Sequence, residues 1–161
     1  MSLDMFIKIG DIKGESIDAS HKDEVSVLAW SWGLSQSGST HYSTGSGAGK
    51  VNVQDLSLTK WVDSSSTALM VAACKGTHIK EAKLTVRKAG DKPLEYIKIT
   101  LTDVIVSSVQ TGGSGGEDRL TENVVLNFGK FKVEYTAQTK EGGAGATSTA
   151  AWDIPANKPL G

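Results

Sequence analysis

The chain has 161 residues, enough for one domain with a substantial core and short for two. Its 39% apolar and 22% charged residues are those of a globular protein, and a net charge of −1 argues against electrostatic capture of nucleic acid. The single cysteine, Cys74, excludes an internal disulfide, and no stretch approaches the ~20 apolar residues that span a bilayer, so no membrane insertion is expected.

The N-terminus, MSLDMFIKIGDIKGE, has Asp4, Lys8, Asp11 and Lys13 among its apolar residues and no apolar run of signal-peptide length. Synthesis in the cytoplasm is expected, with any export by a route that needs no cleaved signal. Met5 to Ile9 alternates and reads as the first strand. Gly14–His21 then places Ser16, Asp18 and His21 close together in a polar stretch. Active triads gather residues from distant segments, so this stretch reads as a solvated connection with local side-chain-to-backbone hydrogen bonds.

Val25 to Trp32 is the second strand, rich in β-branched and aromatic residues. Trp30 and Trp32 share a parity and are predicted to enter the core together. Ala29, Ser31 and Gly33 then form a small, mildly polar strip on the opposite face. That strip suits solvent, a subunit contact or a cavity wall. Gly33–Lys50 follows, GLSQSGSTHYSTGSGAGK, a long loop almost without apolar residues. Such a loop in a compact domain points to binding or to disorder.

Val51 to Val62 is the next strand. A helix is predicted over about 64–75, with Asp63 or Ser64 capping its start, Lys75 suiting the C-terminal dipole and Gly76 taking the left-handed exit. Leu69, Met70, Ala72, Ala73 and Cys74 form its apolar stripe, so Cys74 is expected to be buried and inert. Ile79–Lys88, Leu94–Val109 and Leu120–Thr136 are further strands. Residues 140–147 read as a flexible connector, 148–154 as a closing strand and 155–161 as a tail.

The long strands change phase. Ile97, Ile99 and Leu101 share one parity, and Val104 and Val106 take the other. Val124, Leu126 and Phe128 likewise give way to Phe131, Val133 and Tyr135, with Gly129 at the switch. Side chains alternate with period two, so a phase change requires a bulge, a bend or burial on both faces. A glycine at the switch favours the bend, and long bent strands are what a closed barrel needs. The expected fold is one mainly β domain over 1–161, a barrel or sandwich with one flanking helix.

No catalytic constellation is predicted. Gly112-Gly113-Ser114-Gly115-Gly116 fits the G-x-S-x-G pattern of a serine hydrolase, but His21, His41 and His78 all precede Ser114, whereas the α/β-hydrolase order places the histidine after it. The bland reading is a glycine-rich hairpin. The same glycines lack the following Lys of a phosphate loop and are followed by Glu117 and Asp118. The histidines and Cys74 have no zinc-ligand spacing, so neither metal nor other cofactor is expected.

The segments DMFIKIGDIKGES, VLAWSWGLSQSGS, KVNVQDLSLTKW, AKLTVRKAG and VSSVQTGGSGGEDRLTENVVLNF, in that order, resemble Hcp proteins, the tube proteins of bacterial type VI secretion systems. The resemblance runs from Asp4 to about Tyr135. It implies a bent two-sheet β-barrel with a long extended loop over about 33–50. It further implies six-membered rings that stack into a tube, driven out of the cell by a contracting sheath, with small effectors carried in the channel. The partners so implied are the chain itself, sheath, spike and baseplate proteins, and effectors. Export to the medium or a target cell is implied too. Within that picture Ala29 and Ser31 are candidate channel residues. Ser37, Ser39, His41, Tyr42 and Lys50 are candidate contacts between subunits or rings. Two other classes stay open: a monomeric β-barrel adaptor using loop 33–50, and a serine hydrolase using Ser114.

Overall fold

The computed structural model describes residues 2–37 and 49–160. Ten strands and one helix follow in chain order: β1 Leu3–Ile9, β2 Val25–Ser31, β3 Leu34–Ser35, β4 Asn52–Val53, β5 Leu56–Trp61, α1 Ser65–Lys75, β6 Ile79–Lys88, β7 Leu94–Thr111, β8 Thr121–Gln138, β9 Ala144–Asp153 and β10 Lys158–Pro159. Strands β8, β5, β2, β1, β6 and β7 pair in that order, and β7 pairs back to β8, closing a six-stranded barrel. Its interior holds Ile7, Val25, Leu56, Leu58, Leu84, Leu101 and Leu126, all 0–1% exposed.

Closure depends on the two 18-residue strands. The first half of β8 pairs with β5, through Thr121 to Leu126, and its second half pairs with β9. Both long strands switch their buried parity at one level, where Leu101 lies opposite Phe131 and Val104 opposite Phe128. Between these pairs Asp103 adopts a left-handed φ of 57° and Gly129 faces it, with room for a Cβ only 3.5 Å from that of Asp103. The bend predicted from Gly129 is thus shared by two strands, with no residue inserted in either at that level. A bulge at Ser107 adds a second twist.

The helix starts and stops for the expected reasons. Asp63 Oδ1 accepts from the Ser65 N–H at 2.8 Å, whereas the Ser64 side chain makes no cap bond. Gly76 takes φ 61° and its N–H reaches the carbonyls of Ala72 and Ala73. Leu69, fully buried, and Ala72 seat the helix on the barrel core, and burying one leucine is worth about 1.5–3 kcal/mol. Cys74 is exposed, contrary to the sequence expectation. A helical stripe five residues wide is broader than the face the barrel covers, and Cys74 falls outside it.

Three further expectations change. The run Val51–Val62 divides at Gln54-Asp55: β5 joins the barrel, while β4 pairs with β3 in a two-stranded ribbon. Residues 140–147 are not a separate connector, because Thr139–Gly143 makes a tight turn and β9 already begins at Ala144. Strand β9 extends the sheet past the barrel, with β10 on its edge, and the barrel itself is closed by β7 and β8.

Candidate functional site

The strip predicted from Ala29 and Ser31 is exposed, and a bulge puts it there. Val25 and Val27 are buried, and simple alternation would send Ala29 and Ser31 inward after them. Instead Val27 pairs with Lys60 and Ala29 with Thr59, so Leu28 is an extra residue and the phase flips. Trp30 and Trp32 then turn to the core, half-buried, with the Trp32 ring 5.0 Å edge-on from Phe131.

Pairing continues this strip across four strands. Ala29 lies opposite Thr59, Thr59 opposite Asn123, and Asn123 opposite Gln110. The next row runs from Ser31 to Ser57, Val125 and Ser108. All eight side chains are small or uncharged, and they back onto the buried row of Leu56, Leu58, Val124 and Leu126. Thr59 Oγ1 donates to Asn123 Oδ1 at 2.8 Å, which ties β5 to β8 on this face. Charge returns only at the borders. On one side Arg119 stacks over Trp61 at 4.6 Å, and on the other Asp55 Oδ1 accepts from Asn127 at 2.8 Å. The six residues beyond Ala29 and Ser31 escaped sequence reading, although Ser57 and Thr59 stand at the parity opposite Leu56 and Leu58.

Of the predicted contact residues, Ser37 and Lys50 are exposed just past the Ser35–Asn52 end of the β3–β4 ribbon, and the Ser37 N–H donates to Gln36 Oε1 at 3.0 Å. Ser39, His41 and Tyr42 lie outside the described residues. The stretch around Ser114 is an exposed turn between two antiparallel strands, with β8 rather than a helix after it. Its Ser114 carbonyl accepts from the Glu117 N–H at 3.1 Å. Among the described residues, no group of three or more His, Cys, Asp or Glu could hold a metal ion.

The Gly14–His21 segment has the expected local bonds, with Ser16 Oγ accepting from the Asp18 N–H at 3.3 Å and Asp18 Oδ2 from the Ser20 N–H at 3.0 Å, but it is not solvated throughout. His21 is 7% exposed, stacked on Phe6 at 4.5 Å, with Nδ1 2.9 Å from Glu24 and Nε2 2.6 Å from Glu95. Both ring nitrogens of His21 thus lie within hydrogen-bond distance of a carboxylate. Arg87 donates to both oxygens of Asp18, at 2.7 and 3.0 Å, and to Asp4 at 3.2 Å. The Arg87 hydrogen bond holds the Asp18 carboxyl down to about 2. Burial alone would raise Glu95, but the hydrogen bond and charge of His21, with Lys98, carry it below the usual carboxylate range. Arg87 lies 69 residues beyond Asp18 and Glu95 lies 74 beyond His21, out of reach of a local reading. This arrangement is a staple for the loop, as every ionised group in it is spent on another.

Comparison with known proteins fits this architecture. The family described as "Type VI secretion system effector, Hcp" matches residues 6–135. The chain is 58% identical over 159 residues to "Protein hcp1" of Pseudomonas aeruginosa, covering 98% of each. It superposes on the crystal structure of Hcp1 from Salmonella typhimurium with a TM-score of 0.82 and 41% identity, over 99% of this chain and 100% of the other. A structure described as a type six secretion system protein gives a TM-score of 0.93 at 30% identity, again over 99% and 100%. With a family match across most of its length and this degree of identity from end to end, the protein belongs to the Hcp family of type VI secretion proteins.

Proposed function

We propose that the protein is the inner-tube subunit of a type VI secretion system, that it closes into six-membered rings that stack, and that the rings carry small effectors through their channel. The observation that carries this reading is the face built from Ala29, Ser31, Ser57, Thr59, Asn123 and Val125. It is broad, small-featured and uncharged, in a chain where 22% of residues are charged. A channel wall that must pass varied cargo gains from low bulk and from the lack of any charge that would hold one cargo fast. Sheath, spike and baseplate proteins are the partners of such a tube, which leaves the cell with its cargo.

The ribbon β3–β4 supports the second part. It pairs apart from the barrel sheet, and Ser37 and Lys50 are exposed beyond it, so the segment 37–50 is assigned to contacts between subunits or stacked rings. Unequal proteolysis of this segment in free rings and assembled tubes is expected; equal cleavage would remove the assignment.

Negative-stain electron microscopy of the purified protein tests the whole reading. Class averages should show closed rings of six with a central hole. Single-subunit particles at micromolar concentration would replace it with the monomeric adaptor. Ser31→Arg should leave the rings intact and abolish retention of cargo. Loss of the rings themselves would move Ser31 to a subunit contact.

A further inference from the structure

A groove of about 1170 Å³ lies between α1, the residues that follow β1, and the outer face of β1 and β6, on surface unrelated to the uncharged rows. Its rim carries five exposed lysines, Lys8, Lys13, Lys75, Lys80 and Lys83. Four carboxylates also line it, but Glu24 and Glu95 are engaged with His21, leaving Asp11 and Glu81. Among the described residues none of the five lysines forms an ion pair. This concentration of positive charge stands in a chain whose net charge is −1.

Two of the lysines are placed at a cost. Lys8 and Lys83 lie directly opposite each other on adjacent antiparallel strands. Like charges in that relation are destabilising, and among the described residues neither lysine forms an ion pair that would offset the repulsion. A ligand that brings negative charge would. The neighbouring wall is apolar: Val71 is 50% exposed on α1, with Ala68 one turn away and Ile12 facing from the loop.

We propose that this groove docks an acidic, amphipathic segment of another protein, its carboxylates meeting Lys8 and Lys83 and its apolar side chains covering Val71 and Ala68. The composition argues against a phosphate polymer. Among the described residues no Arg lines the groove to grip phosphates in two-point fashion, and no Phe, Tyr or Trp offers a platform for bases. Point-charge lysines beside an apolar helix wall suit carboxylates on a folded or folding peptide. The inference does not rest on the ring reading, since the charge pattern belongs to the single chain.

The test uses the full-length protein and a fluorescein-labelled helical peptide with Glu on one face and Leu on the other, read by fluorescence anisotropy. Saturable binding is expected, weakened as salt rises. The double variant Lys8→Glu/Lys83→Glu should lose about tenfold or more in affinity, since two attractive pairs become repulsive. Val71→Glu, an exposed position that leaves the core untouched, should weaken binding as well. Circular dichroism verifies that each variant is folded. No binding, or equal binding to the variants, would overturn the proposal. So would equal binding of a Lys-for-Glu peptide or tighter binding of single-stranded DNA. A change in the assembled mass of Lys8→Glu/Lys83→Glu would instead make the groove a contact between copies of this chain, and would also overturn it.

Discussion

Removing Glu122 should cost the protein far more than its surface-like chemistry suggests. Lys60 on β5 and Glu122 on β8 are register partners, and both point into the barrel. Their side chains are 0% exposed, with Nζ and Oε1 2.5 Å apart. Lys60 also reaches Asp63 at 3.1 Å and Ser66 at 3.2 Å, and Ser66 donates to Glu122 at 2.5 Å. The cluster therefore joins two barrel strands to the first turn of α1. Breaking a buried pair leaves an uncompensated charge and costs roughly 3–5 kcal/mol. Asp63 remains beside Lys60 in Glu122→Ala, so the lower end, about 3 kcal/mol, is expected. For a domain of this size that is a fall in Tm of about 6–12 °C. Guanidinium unfolding followed by tryptophan fluorescence, at a fixed chain concentration, measures it. Lys60→Met and Glu122→Leu together should cost less than the sum of the two single changes, because neither leaves the other's charge stranded. A loss below about 1 kcal/mol for Glu122→Ala, the range of an exposed pair, would refute the argument.

Glycine positions give a matched contrast. A Cβ on Gly14 would sit 2.6 Å from the Glu24 carbonyl oxygen and 2.8 Å from Val25 Cα, both backbone, so Gly14→Ala should lose about 1–3 kcal/mol in a thermal melt. Gly112→Ala meets nothing within 4 Å and should stay within about 0.5 kcal/mol of the parent. Acid should loosen the stapled loop. The folded-state pKa of Asp18 lies below its ordinary 3.8, at about 2, and Glu95 is shifted the same way. The stability these groups contribute is present above their unfolded values and lost as pH falls from about 4 towards 2. Amide protection factors at Asp23 and Glu24 should fall in that window, and Arg87→Gln should show the lower protection already at pH 6. Unchanged protection down to pH 2 would count against the staple.

Much of the architecture was legible along the chain. The parity of Ile97, Ile99 and Leu101 against Val104 and Val106, and Gly129 at the switch of its own strand, pointed to the bends, because a period of two is a local property of extended backbone; that the two bends coincide came from the register. Asp63 and Gly76 marked the helix ends for equally local reasons. A similar signal in β2 went unread: Val25 and Val27 occupy one parity and Trp30 and Trp32 the other, which demands the bulge at Leu28. Cys74 was misplaced because a stripe of small residues does not say how far a helix is rolled against its support.

Periodicity says which way a side chain points, and capping residues say where a helix begins; the sequence alone determined these for most of this protein. Neither says which strand lies alongside. Lys60 continues the inward parity of Leu56 and Leu58, and Glu122 that of Val124 and Leu126, so each alone reads as a charge pointed at a core. Only the β5–β8 register makes them partners. The β2–β5 and β7–β8 registers extended this into uncharged rows across four strands, the β1–β6 pairing set Lys8 against Lys83, and packing brought Glu95 against His21. Tertiary structure decided these contacts because pairing joins residues tens of positions apart, and a slip of one residue would reverse every face.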